Sequence, residues 1–439
     1  KGKPSMILTN PPFGSGHDIR IKELTLLQNF KTGRNWVFDE DSNKINYSDS
    51  LNTTQGVAPE ILFAERCIEW VKPGGVIGIV MAKGQLDNRE ALAMRRLIFD
   101  QCQVLAVVNL HEDTFEPFVG SKASVIFMRK KGNLSRQSGD YRIFMAVSNK
   151  VGQTSRGEPN FKRDIEGKPL IRNNAFVLDE DLSEISESYH QFLSDKLTES
   201  GYRFSIMRSQ INAGSLSLNP IQYLPAHNAA LQYVLSLGEK EDFELSTLGS
   251  IATVFNGPRF KRPYADKGVT TGETIRKYFT GTALTQLNSE NIKYLDSNNA
   301  NKQTKGHLNS LTIYRGYILI SDSGTLGRVS YALKQHDGHV ATNNLIRVII
   351  KDEYLRGYVY QFLKSDVGQK LMLKNAYGTN QEHLEPDVIA EVPIPIPRDK
   401  KLIEKIGRTV LRSIEELEKS IENAQSAEES LNQVIGITH

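Results

Sequence analysis

The chain has 439 residues, enough for two or three domains with separate cores. Hydrophobic residues make up 39% and charged residues 24%, and the longest apolar run, Val76 to Ala82, is too short to span a bilayer; the membrane-spanning classes are excluded and a cytoplasmic location is expected. A formal net charge of +3 carries no whole-chain sign of a polyanionic partner, and the two cysteines, Cys67 and Cys102, sit inside apolar patterns, which argues against a disulfide or zinc framework.

Residues 1 to 150 alternate β-branched runs with helical stretches: "SMILTN", "PEILFAERCIEWV", "GVIGIVMA", "EALAMRRLIFDQC", "VLAVVNL" and "ASVIFMRK". This order predicts parallel strands joined by crossover helices, an α/β sheet buried on both faces. Residues 151 to 215 are polar and mixed and read as a connector, with "LDEDLSEISESYHQFLSDKL" as an exposed helix. Residues 216 to 398 read as a second α/β domain. Its short strands are broken by glycine and asparagine and followed by a helix, "YLRGYVYQFLKSDVGQKLML", and the turn-rich "YGTNQEHLEPD". The prolines of "VPIPIPRD" hold the backbone extended and delay the last helix. In residues 399 to 439, Ile403, Ile406, Val410, Ile414, Leu417, Ile421, Ala424, Ala427, Leu431 and Val434 recur at gaps of three or four. One helix roughly 50 Å long is expected, either folded back on its own domain or serving as a strut to another subunit or domain.

The stretch "ILTNPPFG" ends the first strand with an asparagine and two prolines. Ligand chemistry in open α/β sheets gathers at the carboxyl ends of the strands. There Asn10 offers a side-chain oxygen and Pro11 a main-chain oxygen in a rigid pair, which suits the two hydrogens of one exocyclic amino group. Phe13 adds a face on which a planar base could stack. The same residues also suit a plain helix-entry turn, with Asn10 as cap and proline at the first helical position.

"ILTNPPFG" resembles the catalytic motif of N6-adenine DNA methyltransferases, in particular the modification subunits of type I restriction-modification systems. The similarity continues in order through "LFAERCIEWVKPGGVIGIVMAKGQLDN" and "RRLIFDQCQVLAVVNLHEDTFEPFVGSKASVIFMRKK", to about residue 132. It departs from the usual pattern at "MAKGQL", where many relatives carry a proline-containing turn. The resemblance implies a Rossmann-like fold, S-adenosylmethionine as methyl donor and no metal. It implies that Asn10, Pro11, Pro12 and Phe13 hold the flipped adenine, with Phe115 in "TFEPFVGSKAS" against its other face; Phe115 equally suits core packing beside a strand. A target base must leave the duplex before a methyl donor can reach it, at a cost of a few kcal/mol that aromatic stacking offsets. Asparagine at the head of the motif favours adenine N6 over cytosine N4. The family's glycine loop for the donor is expected upstream of Lys1, and this stretch alone is expected to be inactive.

The second domain has its own resemblance. "STLGSIATVFNGPRFKRPYADKG", "GYILISDSGTLGRVSYA", "ATNNLIRVII" and "FLKSDVGQKLMLKNAYGTNQEHLEPDVIAEVPIPIP" are similar, in that order, to one target-recognition domain of type I specificity subunits, and the long helix resembles their spacer helix. Double-stranded DNA is the implied partner, with a second copy or a restriction or specificity subunit on the C-terminal helix. Between Arg259 and Phe279, basic residues Arg259, Lys261, Arg262, Lys267, Arg276 and Lys277 interleave with Phe260, Tyr264, Tyr278 and Phe279, a pattern that suits DNA contact or a solvated charged face. Pro386 and Asp387 followed by "DKK" mimic a metal-dependent nuclease motif, but a domain boundary separates the acids and no nuclease is expected. A DNA-binding specificity module with an inert methyltransferase remnant is the alternative reading of the whole.

Overall fold

The computed structural model describes residues 2–12, 19–132, 139–286, 292–374, 376 and 383–436. Two compact units divide the chain, one reaching Ala226 and the other beginning at His227.

The first unit starts with β1 (Met6–Thr9), the helical turn α1 (Leu24–Leu27) and a hairpin of β2 (Arg34–Asp39) and β3 (Lys44–Leu51). Then come α2 (Pro59–Trp70), β4 (Val76–Ala82), α3 (Leu92–Gln101), β5 (Cys102–Asn109), β6 (Ala123–Lys130) and β7 (Arg142–Val147). A ribbon of β8 (Ile171–Arg172) and β9 (Ala175–Phe176), α4 (Leu182–Leu193) and β10 (Arg203–Met207) complete it. Six strands form one sheet in the order β1-β4-β6-β5-β7-β10. β1 pairs parallel with β4, and β5 with β7. β6 runs antiparallel to both β4 and β5, and β10 antiparallel to β7, so the expectation of an all-parallel sheet is corrected at these two strands. The physical reason at β6 is the connection before it, whose only helical element is the 3-10 turn Glu112–Phe115, too little for a crossover. The stretch read as a connector supplies β10, which lies in the same sheet.

α2 starts on Pro59, where a missing N–H costs nothing, and its exit turns at Gly74 with φ +78°. Ile77, Ile79, Met81, Val104, Val107 and Ile126 pack against Ile61 of α2 and Met94 and Ile98 of α3. A bulge between Val104 and Ala106 shifts the alternation of β5, so Ala106 and Val108 face the opposite side with Phe144 and Ala146, covered by Ile185, Tyr189 and Phe192 of α4. Both cysteines are free and buried, and burial pushes the Cys102 thiol up to about 12. No helix among the described residues is long and apolar enough to cross a membrane.

In the second unit α5 (Pro225–Gly238) precedes β11 (Phe243–Thr247), the single turn α6 (Leu248–Ile251), β12 (Thr253–Asn256), β13 (Ile275–Phe279), β14 (Lys293–Asp296) and α7 (Lys302–Ser310). Five short strands follow: β15 (Thr312–Ile313), β16 (Ile318–Ser321), β17 (Val329–Tyr331), β18 (His339–Ala341) and β19 (Leu345–Ile349). The expected single helix after them is two, α8 (Glu353–Lys364) and α9 (Asp366–Leu373), because Ser365 adopts an extended backbone and caps the second through its hydroxyl. α10 (Pro386–Ala390), β20 (Pro393–Pro397) and α11 (Lys400–Ile435) end the chain. The strands form two four-stranded sheets, β12-β19-β16-β17 and β14-β13-β18-β15, and a ribbon of β11 with β20. In β20 the alternating prolines leave Ile394 and Ile396 to donate to β11, opposite Ser246 and Glu244.

α11 lies along its own unit. Ile414 and Ile421 are in the core, and the buried Glu418 carboxylate accepts from Arg315 Nε at 2.8 Å, Arg315 Nη2 at 2.9 Å and Lys334 N at 2.8 Å. Burial pushes that carboxyl up, but these donors outweigh it and hold Glu418 below the ordinary glutamate value. α8 and α11 meet backbone to backbone: a Cβ on Gly357 would stand 2.9 Å from the Gly407 Cα, and one on Gly407 would overlap the Tyr354 carbonyl. Gly407→Val is expected to lower stability by about 1–3 kcal/mol or more through overpacking. Gly306→Ala, at a position with open space around it, should not. Denaturant midpoints of the two variants against the parent check this.

Candidate functional site

The carboxyl edge of the first unit's sheet collects the ends of β1, β4 and β5. β1 delivers Asn10 exposed, followed by a buried Pro11 and an exposed Pro12. Phe13 lies outside the described residues. β4 runs directly into a buried 3-10 turn, Lys83–Leu86, which is the "MAKGQL" segment. The turn is held from beneath by Arg95, which is buried and donates to the carbonyls of Gln85 at 2.9 Å, Asn88 at 2.8 Å and Ser215 at 2.9 Å. Burial lowers this guanidinium to about 10, still charged at neutral pH.

Next to it runs a buried polar chain. Ser124 Oγ donates to Asn109 Oδ1 at 2.7 Å, Asn109 Nδ2 to Asn219 Oδ1 at 2.9 Å, and Asn219 Nδ2 to Asp87 Oδ2 at 2.7 Å. These bonds tie the ends of β4 and β5 and the start of β6 to the 3-10 turn Pro220–Tyr223. In the buried interior each is worth more than at the surface, and removing one member strands the others. Sequence reasoning missed this chain. Its only local sign is that Asn109 ends a strand and Asn219 precedes a proline.

A cavity of about 380 Å3 opens where α2 begins, with Arg20, Asn35, Trp36, Gln55, Gln85 and Arg89 among its walls. Close by, Glu60 is only 1% exposed. Its Oε1 accepts from Gln85 Nε2 at 3.1 Å, and Oε2 has no partner among the described residues. Burial raises its carboxyl above the ordinary glutamate value.

The loop from Leu110 to Lys122 carries Phe115 half-buried, its carbonyl accepting from Phe118 N and Val119 N. Phe118 is 91% exposed. Keeping such a ring in water forgoes roughly 1.5–3 kcal/mol of burial. The loop is braced on several sides. Gln153 Nε2 donates to the carbonyls of Asp113 at 2.8 Å and Glu116 at 3.0 Å, Lys122 pairs with Glu112 at 3.3 Å, and the Lys122 carbonyl accepts from Lys83 N at 2.9 Å.

In the second unit the basic stretch separates by environment. Arg259 and Lys261 are exposed, and Lys261 has no hydrogen bond or ion pair among the described residues. Arg262 is tied to the Tyr278 hydroxyl at 2.8 Å, and half-buried Arg276 donates to Thr312 Oγ1 at 3.0 Å. Lys277 is half-buried on the opposite face of β13 from Arg276. Tyr278 is buried, Phe260 packs beside it, and Tyr264 is 43% exposed with the Lys293 ammonium 5.5 Å from its ring centre. Deeper, Arg347 is buried among main-chain oxygens, donating to Leu345 O at 2.7 Å and to Leu311 O and Ala341 O at 3.1 Å. No cluster of metal-ligating side chains occurs among the described residues.

The model of the N-6 DNA methylase family matches residues 2–230, more than half of the chain. The chain belongs to that family. Residues 240–426 match the type I restriction modification DNA specificity domain, so the N-6 DNA methylase region is followed in one chain by a specificity domain. No curated protein sequence matches. Among solved structures, the chain is similar to the type I restriction-modification methyltransferase subunit from Streptococcus thermophilus, with 12% identity over 50% of this chain and 38% of that one and a TM-score of 0.31. It is also similar to the HsdS subunit from Thermoanaerobacter tengcongensis, with 14% identity over 44% and 46% and a TM-score of 0.28. For the type IIL restriction-modification enzyme MmeI in complex with DNA, the values are 9% identity over 99% and 55% and a TM-score of 0.46. The chain spans under two thirds of the length of each.

Because the folded value of Glu60 is raised, the native state loses stability as pH climbs from the ordinary glutamate value through the raised one. Glu60→Gln is therefore expected to stabilise the protein by about 1–3 kcal/mol at pH 8, with the gain vanishing below the ordinary glutamate range. Denaturant unfolding of parent and variant at several pH values measures it.

Proposed function

We propose that this chain supplies the base-holding and sequence-reading parts of an enzyme that methylates adenine N6 in a specific sequence of double-stranded DNA, as part of a restriction-modification system. The observation that carries the reading is the Asn-Pro-Pro turn at the carboxyl end of β1, inside the span matched by the N-6 DNA methylase family. Asn10 Oδ1 and the Pro11 carbonyl accept the two hydrogens of the extruded amino group, with Pro12 fixing the turn and Phe13 and Phe115 against the faces of the base. Holding both hydrogens leaves the nitrogen lone pair out of the ring plane. With a methyl donor bound, that lone pair would form the new N–C bond as the methyl's bond to sulfur breaks, and one of the two held protons would pass to solvent water. S-adenosylmethionine is the proposed source of the methyl group. The described residues supply the acceptor side, and none is assigned to hold the donor.

Residues 216 to 398 are proposed to choose the sequence, with Arg259 and Lys261 on phosphates and Arg262, Arg276 and Lys277 nearer the bases or positioning them. The far end of α11, where Leu431 is 56% and Val434 84% exposed, is proposed as the contact for a second copy or another subunit of the system.

In the full-length protein, Asn10→Ala is expected to cut methyl transfer by about 100-fold or more while DNA affinity changes less than threefold. Single-turnover transfer and fluorescence anisotropy measure the two, and equal losses would refute the role. Lys261→Ala is expected to weaken DNA binding on all sequences alike and to lower the slope of log affinity against log salt by roughly 0.9. A salt titration with specific and random duplexes decides it.

A further inference from the structure

We infer that Phe118 enters the duplex and fills the space left by the extruded base, and that Gln153 is the residue that positions it; the inference rests on the base-extrusion reading above. Phe118 is 91% exposed on a loop that is otherwise firmly fastened. Two of the loop's three acids have a basic group near them: Glu112 pairs with Lys122 at 3.3 Å, and Asp113 Oδ2 stands 3.9 Å from His111 Nδ1, which also accepts from the Asp113 N–H at 3.2 Å. An exposed aromatic on a floppy loop would need no explanation, but one held out by several bonds is presented to something. Its place says to what. The Lys83 N–H to Lys122 carbonyl bond pins the loop's end beside the exit of β4, the strand hydrogen-bonded to β1. The end of β1 at Thr9 lies opposite Ile79 and the start of β6 at Ala123 opposite Ala82, so at about 4.8 Å per strand and about 3.3 Å per residue the two are roughly 14 Å apart, and Phe118 and Asn10 belong to the same end of the sheet. A side chain there that carries no charge and no hydrogen-bonding group offers a base stack only apolar bulk, as the wedges of DNA-bending proteins do.

The fastening comes from a segment outside the sheet. Gln153 uses both protons of one amide to bridge the Asp113 and Glu116 carbonyls, spanning the loop's 3-10 turn. Behind it Gly157 lies so close to Pro117 that a Cβ there would stand 2.9 Å from Pro117 Cδ. Isolated bridges Val151–Glu180 and Gln153–Pro159 close this segment on itself, which makes it a rigid backing for the loop.

The test uses the full-length protein and a duplex carrying its methylated sequence, with 2-aminopurine at the target adenine or with the adenine opposite a mismatch. Wild-type protein should brighten the probe. Phe118→Ala should lower both the brightening and methyl transfer about tenfold on matched DNA, and transfer should recover to near wild type on mismatched DNA, where extrusion costs less. Phe118→Leu should keep most activity, and Gln153→Ala should show a smaller loss with the same recovery. Asn10→Ala should stay inactive on both duplexes. Circular dichroism confirms folding of each variant. Wild-type transfer by Phe118→Ala on matched DNA, or a defect that persists on mismatched DNA, would overturn the inference while leaving base extrusion in place. A probe that stays dark with wild-type protein would remove base extrusion itself, and the wedge with it.

Discussion

A buried guanidinium whose hydrogen bonds among the described residues all go to carbonyl oxygens stands at the centre of each unit. Arg95 gathers the turn after β4 and the segment at Ser215, and Arg347 gathers the start of β15, the end of β18 and the start of β19. Burying a full charge costs several kcal/mol, and only several well-placed acceptors offset it. Irregular backbone at the end of a strand has carbonyls without ladder partners, so the arginine and the turn satisfy each other's need. In the first unit this fixes Asp87, and through Asn219 and Asn109 it fixes the relative heights of β4 and β5. The ends of β4 and β5 are thereby tied to one another by side chains as well as by the sheet.

Much of this arrangement was readable in the residues. The end of β1 at Thr9, the helix beginning on Pro59, the buried thiols and the single long terminal helix all rest on local rules of proline, glycine and apolar spacing. The reversal of β6 was not readable, because its apolar content suits a parallel or an antiparallel neighbour equally. The polar chain joins Asn109 to Asn219 across 110 positions, and no spacing rule reaches that far.

The basic stretch teaches a different lesson. Interleaved charges and aromatics suggested one surface, yet β13 alternates its side chains, and burying Tyr278 draws Arg276 into the same half-buried face. Arg262 then caps the tyrosine hydroxyl that the core would otherwise leave dry. A window of sequence rich in cations can thus hold several jobs. Exposure separates them where composition does not, and it singles out Phe118 from Phe115 three positions earlier in the same way.

The touching backbones of Gly357 and Gly407 have a consequence at the other end of α11. With no side chains between them, the two helices can neither slide nor roll without collision, so the crossing sets the phase of the whole terminal helix. A one-residue slip would turn every later position by about 100°, and Val434 lies some 40 Å beyond Gly407 along the axis. The compass bearing of the distal apolar stripe is therefore written at a point far from it. Any subunit that seats on that stripe inherits its orientation from two glycines it never meets.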